Sequence, residues 1–166
     1  MKLMKILALG SNLPFGINTP KQNLESACDL LELDGIKILK KSKIYFSEAY
    51  PNKLDPLFCN SAISIETNLK PFDLLNIVLK IEKKFGRERK VKNSPRTLDI
   101  DIICYDNLIL NDENLQIPHP NIQDRLFVLM PICDLNENWK HPIHSKTALE
   151  FIKSFSEEQI NKLKKA

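Results

Sequence analysis

The residues best placed to do chemistry are Asp99 and Asp101, in the stretch Pro95-Arg96-Thr97-Leu98-Asp99-Ile100-Asp101-Ile102-Ile103. As a strand, this stretch sends Leu98, Ile100 and Ile102 to one face and Asp99, Asp101 and Ile103 to the other. Two carboxylates then share a face, about 7 Å apart at their Cα atoms. A core does not hold two unpaired carboxylates side by side. A divalent cation between them resolves the conflict, and hard oxygen ligands at this spacing suit Mg2+ completed by phosphate oxygens. Arg96, just before the pair, can grip a phosphate through two N–H groups. A solvated strand with its aspartates paired to lysine or arginine is the alternative, and Asp-x-Asp alone does not decide between them. The cationic run Arg87, Arg89, Lys90, Lys92 and Arg96, with the apolar flank, favours metal and phosphate.

The framework that must position these groups has 166 residues, which suggests one domain over 1–166. A hydrophobic fraction of 43% suffices for a core, while a mean hydropathy of −0.24 and the lack of a long apolar run argue against a membrane protein. The apolar start ends at Gly10-Ser11-Asn12, too soon for a signal sequence, so the expectation is a cytoplasmic protein. Cys28, Cys59, Cys104 and Cys133 are far apart with no Cys-x-x-Cys, which predicts reduced, mostly buried thiols rather than a zinc site. A net charge of +3 does not by itself call for nucleic acid. The partners expected are small molecules, with neither nucleic acid nor membrane, and the chain is expected to act as a monomer.

Patterning predicts a strand at 5–9, a turn at 10–12, and a helix opened by Thr19-Pro20-Lys21-Gln22 as a capping box. Leu24, Ala27, Cys28 and Leu31 give that helix one apolar face, and Gly35 stops it. A strand is predicted over 36–46, then a long loop over 47–57, which reads equally as a lid or as a plain connection. The next strand is 58–67, where Asn60 sits among apolar neighbours as either a hydrogen-bond hub or a ligand reader. A second helix covers 71–85, with Leu74, Leu75, Val78, Ile81 and Phe85 on its apolar face. Glu82 in its last turn opposes the helix dipole and calls for a cation such as Arg87 or Arg89. After the Asp-x-Asp strand, 108–110 reads as the return of a hairpin. Ile117-Pro118-His119-Pro120 fixes a histidine between two prolines, either structural or set to contact a phosphate near Arg125. A short helix is expected at 121–129, ending before Pro131, and two more follow at 147–155 and 157–164 around Ser156 as cap. The order predicts an α+β, ferredoxin-like βαββαβ sandwich, mostly antiparallel, with helices on one face and C-terminal helical additions.

Several blocks together resemble one family. They are Ala8-Leu9-Gly10-Ser11-Asn12-Leu13, Phe58-Cys59-Asn60, Ile81-Glu82, Gly86-Arg87-x-Arg89, Pro95 to Ile102, Ile117-Pro118-His119-Pro120 and Arg125-x-Phe127-Val128-Leu129. In register over about residues 5–135, they resemble the 6-hydroxymethyl-7,8-dihydropterin pyrophosphokinases of folate biosynthesis. The resemblance implies a ferredoxin-like fold, ATP as donor, two Mg2+ ions and transfer of a pyrophosphoryl group to the pterin hydroxymethyl. It implies that Asp99 and Asp101 hold the metal and that Arg87 and Arg89 neutralise the moving phosphates. It assigns Glu82, Lys92, Arg96, Ile102, His119 and Arg125 to ATP. Ser47, Phe58, Asn60 and Phe127 fall to the pterin, with 47–57 as the closing loop. Two other classes stay open on the residues alone. One is a ferredoxin-like RNA-binding module, although its aromatic strand motif is absent. The other is a metal-dependent nucleotidyltransferase using the same aspartates. No Gly-x-x-x-x-Gly-Lys-Ser/Thr occurs, so side-chain cations must hold any phosphates.

Overall fold

The computed structural model describes residues 3–50, 52–87 and 94–165. The chain opens with β1 (Lys5–Ser11) and α1 (Pro20–Leu33), continues with β2 (Lys37–Lys41), β3 (Tyr45–Ser47) and β4 (Phe58–Glu66), and then forms α2 (Pro71–Lys84) and β5 (Asp99–Tyr105). Two short strands, β6 (Leu110–Asn111) and β7 (Gln116–Ile117), precede α3 (Leu126–Leu135), α4 (Ala148–Ile152), α5 (Glu157–Lys162) and β8 (Lys164–Lys165).

The sheet runs β5-β1-β4-β3-β8, with β2 also on β4, and every pairing in it is antiparallel. Thr19 caps α1 through the capping box with Gln22, as its sequence predicts, and Gly35 follows the helix at φ +82°. The apolar faces of α1 and α2 meet Leu7, Leu9, Ile63, Ile65, Leu98, Ile100 and Ile102 on one side of the sheet. Period-2 alternation sends Ile6, Ala62 and Ile103 to the other side, where they meet Leu126, Leu129 and Ile132 of α3, Ile152 of α4 and Trp139 from the segment between them. The sheet is therefore covered on both faces, not on one, and β4 is buried along nearly its whole length.

Three local expectations are corrected. The strand read over 36–46 is two strands, because Ser42 leaves the ladder and bonds Ala62 through both its N–H and its Oγ. Residues 108–110 do not return along β5; β6 pairs with β7 in a small separate sheet. The helix expected to stop before Pro131 runs through it to Leu135. An interior proline costs roughly 3 kcal/mol. Full burial of Leu129 and Ile132 with partial help from Leu126 and Leu135 contributes about 1.5–3 kcal/mol for each fully buried side chain, which outweighs that cost. Lys40 closes the helix by donating from Nζ to the Asp134 and Leu135 carbonyls. The four cysteines are free thiols, three of them buried. Among the described residues, no helix is long and apolar enough to cross a membrane.

Candidate active site

Towards one end of the second sheet face the positions are small or polar: Ala8 and Gly10 on β1, Asn60 on β4, Asp99 and Asp101 on β5. The register aligns Asn60, Gly10 and Asp99 across three strands, with Ala8 opposite Asp101. Arg125 and Phe127, at the start of α3, Arg96, before β5, and Ser47 and Phe58, at the strand ends, complete a cavity of about 310 Å³ over this floor. A second cleft, of about 420 Å³, wraps the outer edge of β5 and is lined by Leu75, Leu79, Ile100, Ile102, Gln116 and His119. Asp101 lines both.

The carboxylates have unlike neighbours. Arg87 donates to Asp99 Oδ1, and Arg96 Nη1 donates to Oδ2 at 2.8 Å. Burial opposes ionisation of Asp99, but the Arg87 and Arg96 guanidiniums prevail and hold its carboxyl below the usual carboxylate range. Asp101 has Arg125 at 4.0 Å, and burial followed by the Asp99 charge pushes it up to about 7.

Glu82, 2% exposed, sits behind them. Its Oε1 accepts from Arg87 Nη1 at 2.6 Å and from the Ile100 N–H at 2.9 Å. Among the described residues, Arg87 supplies a cation of the kind its place in the last helical turn calls for. Because β5 is an edge strand, the Ile100 N–H needs a partner from outside the sheet, and Glu82 supplies it. Gly86, at φ +69°, turns the chain out of α2 so that Arg87 can reach both acids, with the Phe15 ring packed against it.

Asn60 is a hub: its Nδ2 donates to the Tyr45 carbonyl, Ser47 Oγ and the Phe58 carbonyl at 2.9–3.2 Å. It also lines the first cavity, so the two readings of this residue do not exclude each other. The Arg96 guanidinium lies 5.5 Å over the Phe58 ring and that of Arg125 6.0 Å over Phe127. His119 is held by its N–H to the Ile103 carbonyl at 2.9 Å, after a cis Ile117–Pro118 bond. Its Nδ1 accepts from the Asn121 N–H, which assigns the proton of the neutral ring to Nε2. Burial, with Arg125 nearby, pushes its pKa down to about 4. Arg89 and Lys92 lie outside the described residues.

Among the described residues, no group of three or more His, Cys, Asp or Glu side chains converges to hold a metal. Two oxygen-donor carboxylates facing an open cleft fit a hard cation that completes its shell with water and phosphate oxygens, as Mg2+ does. Sequence reasoning missed Gly10 as a site residue. A Cβ there would meet Asn60 Oδ1 at 3.7 Å, Asp99 Cβ at 3.9 Å and Phe58 Cδ1 at 3.9 Å. A glycine inside a strand opposite two polar residues was the available signal. Leu75, Leu79 and Gln116 were missed as well, since helical periodicity and a short polar turn carry no mark of a ligand.

A carboxylate shared by two clefts, with guanidiniums beside it in the first, suits a transferase, an enzyme that moves a charged group from one bound molecule to another. Residues 6–137 match the family described as 7,8-dihydro-6-hydroxymethylpterin-pyrophosphokinase, and the chain belongs to it. The 2-amino-4-hydroxy-6-hydroxymethyldihydropteridine pyrophosphokinase of Haemophilus influenzae is 34% identical over 158 residues, covering 95% of this chain and 96% of that protein. Its namesake from Synechocystis is 36% identical over 148 residues, covering 89% of this chain and 73% of that one. The folic acid synthesis protein of Pneumocystis carinii is 35% identical over 154 residues, but this chain spans 20% of its length. Among solved structures, the HPPK-DHPS of Plasmodium falciparum aligns with a TM-score of 0.71 at 16% identity, over 96% of this chain and 45% of that one, a likeness of fold.

Proposed function

We propose that this chain transfers the terminal pyrophosphoryl group of ATP to the hydroxymethyl oxygen of 6-hydroxymethyl-7,8-dihydropterin, giving AMP and the pterin diphosphate for folate biosynthesis. The observation that carries this reading is Asp101, which lines both the cavity floored by Gly10 and Asn60 and the cleft at the edge of β5. In this reading the pterin enters the first and the nucleotide's base the second, with its phosphates passing Asp101 to reach Arg96 and Arg125 in the first.

Phe58 and Phe127 offer two aromatic faces to a flat ring. Asn60, its Nδ2 committed to protein oxygens, has its amide oxygen to offer the ring's N–H groups, and Ser47 holds that orientation. Ile102 lines the nucleotide's apolar pocket, and His119 presents Nε2–H to it as a neutral donor. Arg96, Arg125 and Lys92 take phosphate oxygens, while Glu82 serves the nucleotide through Arg87. Asp99 and Asp101 hold two Mg2+ ions. When bound, these neutralise the triphosphate and stabilise the departing α-phosphate. The pterin oxygen attacks the β-phosphorus, the bond from that phosphorus to the α–β bridging oxygen breaks, and the hydroxyl proton passes to solvent. Arg87 and Arg89 follow the charge on the moving group.

The strand order β5-β1-β4-β3 supports the ferredoxin-like reading, in which the fourth strand lies beside the first and the third beside the second, with α3 to α5 as C-terminal additions. We read residues 1–166 as one domain, monomeric and cytoplasmic. An ATP-consumption assay tests the function: consumption should require the hydroxymethyl pterin and Mg2+. Consumption that ignores the pterin would refute it.

A further inference from the structure

We propose that Asn12 is a positioning residue that couples nucleotide binding to pterin binding, tying the peptide that carries Arg96 to the peptide that leads into Phe58, two residues on the wall of the first cavity. The inference rests on the assignment above of Arg96 to the nucleotide and Phe58 to the pterin.

Asn12 follows β1 directly and is 1% exposed. A buried amide must place both its donor and its acceptor. Asn12 Oδ1 accepts from the Arg96 N–H at 2.7 Å, and Nδ2 donates to the Pro56 carbonyl at 3.0 Å. Its own N–H, with that of Leu13, donates to the Arg96 carbonyl at 3.0 and 3.1 Å. One residue thus fixes Arg96 at both ends of its backbone and reaches the segment two residues before Phe58.

The ground beneath is rigid. Ser11 Oγ and Asn23 Nδ2 both donate to the Thr97 carbonyl, and Thr97 Oγ1 donates to the Phe85 carbonyl. Ser11 and Asn23 therefore anchor the Arg96-Thr97 turn from below, whereas the Asn12 side chain bridges outward. Arg96 points its guanidinium at Asp99 and over Phe58. When a nucleotide phosphate draws on Arg96, its backbone and the Pro56 carbonyl shift together through Asn12, and the Phe58 wall moves with them. The coupling is reciprocal by linkage.

Binding measurements test this with α,β-methylene-ATP and Mg2+ as the nucleotide and fluorescent 6-hydroxymethylpterin as the second probe. In the wild type, the nucleotide should raise pterin affinity about tenfold, within the usual span of such couplings. Asn12→Asp keeps the acceptor for the Arg96 N–H, loses the donor to Pro56 and sets an anion against that carbonyl, which parts the two peptides. It should bind nucleotide within about threefold of wild type and lose most of the gain in pterin affinity. Asn12→Ala, which loses both arms, should lose the gain and weaken nucleotide binding too. Ser11→Ala, a control that loosens the anchor on Thr97, Leu13 and Asn23 but leaves both arms of the Asn12 side chain, should lower the melting temperature and keep the gain. Three results overturn the proposal: a gain that persists in Asn12→Asp and Asn12→Ala, a wild type that binds both probes with no gain, or a uniform loss of both affinities that tracks melting temperature across all the variants. A wild type that binds neither probe refutes the functional reading itself and the coupling with it.

Discussion

Asp99 and Asp101 stand two residues apart on one face of β5, yet among the described residues Asp99 is gripped by two guanidiniums while Asp101 has Arg125 at 4.0 Å. Both should be indispensable to turnover, but for stability they should behave in opposite ways. Asp99→Asn leaves Arg96 without its anion and Arg87 with Glu82 alone. For a side chain one-fifth exposed, that should cost about 1–3 kcal/mol. Asp101→Asn removes a carboxyl that burial and its neighbour already disfavour as an anion, so the melting temperature should hold or rise. Assays and thermal melts on the two variants check this. Turnover surviving in either, or equal loss of stability in both, would contradict the assignment.

Asn60→Ala should weaken pterin binding with nucleotide binding spared, and the three oxygens left without their donor should cost about 1–3 kcal/mol. Asn60→Asp should be worse on both counts, because it aims an anion at two carbonyls. Calorimetry beside melting curves separates the effects. Unchanged pterin affinity in a folded Asn60→Ala protein would leave Asn60 as a hub alone.

Gly10→Ala should do the reverse of a core mutation. Its methyl meets atoms at ordinary van der Waals distance, so stability should barely change. It also stands on the floor of the first cavity, so pterin affinity should drop about tenfold for space a ring would occupy. Wild-type affinity in this variant would move the pterin elsewhere.

Much of this site was legible because strand periodicity is a local property. Two aspartates two residues apart must share a face, and Leu98, Ile100 and Ile102 must share the other; the core holds them there. Thr19 and Gln22 were readable for the same reason. What could not be read depends on distant partners. The route of α3 through Pro131 is decided by the apolar sheet face beneath it, and the pairing of β8 with β3 by a strand over a hundred residues away. The grip of Arg87 on Asp99 depends on Gly86 turning the chain, and the bridging by Asn12 on two loops meeting.

Acid should destabilise the protein in part through His141, which is 2% exposed. Burial, with His144 beside it, lowers its pKa from 6.5 to about 4. Between those values the unfolded chain binds the proton and the folded chain does not, so stability falls as pH drops from 6.5 towards 4. The Nδ1 atom accepts from the Ile143 and His144 N–H groups, and Asn can imitate that acceptor. His141→Asn should therefore show a shallower decline of melting temperature between pH 7 and 4.5 than the wild type. An equally steep decline would assign the acid sensitivity to other groups, His119 first among them.

The central claim is that a two-phosphate group moves as a unit, and the nucleotide product reports on it most directly. In the proposed reading Asp99 and Asp101 hold metal along the triphosphate, and Arg87, paired with Asp99, follows the charge on the transferred end. Clamping both ends of that group aligns an in-line displacement at the β-phosphorus. Chromatography of a reaction with ATP, Mg2+ and 6-hydroxymethyl-7,8-dihydropterin should show AMP and pterin diphosphate formed one for one. ADP as the stoichiometric product, or AMP formed at the same rate without the pterin, would contradict it.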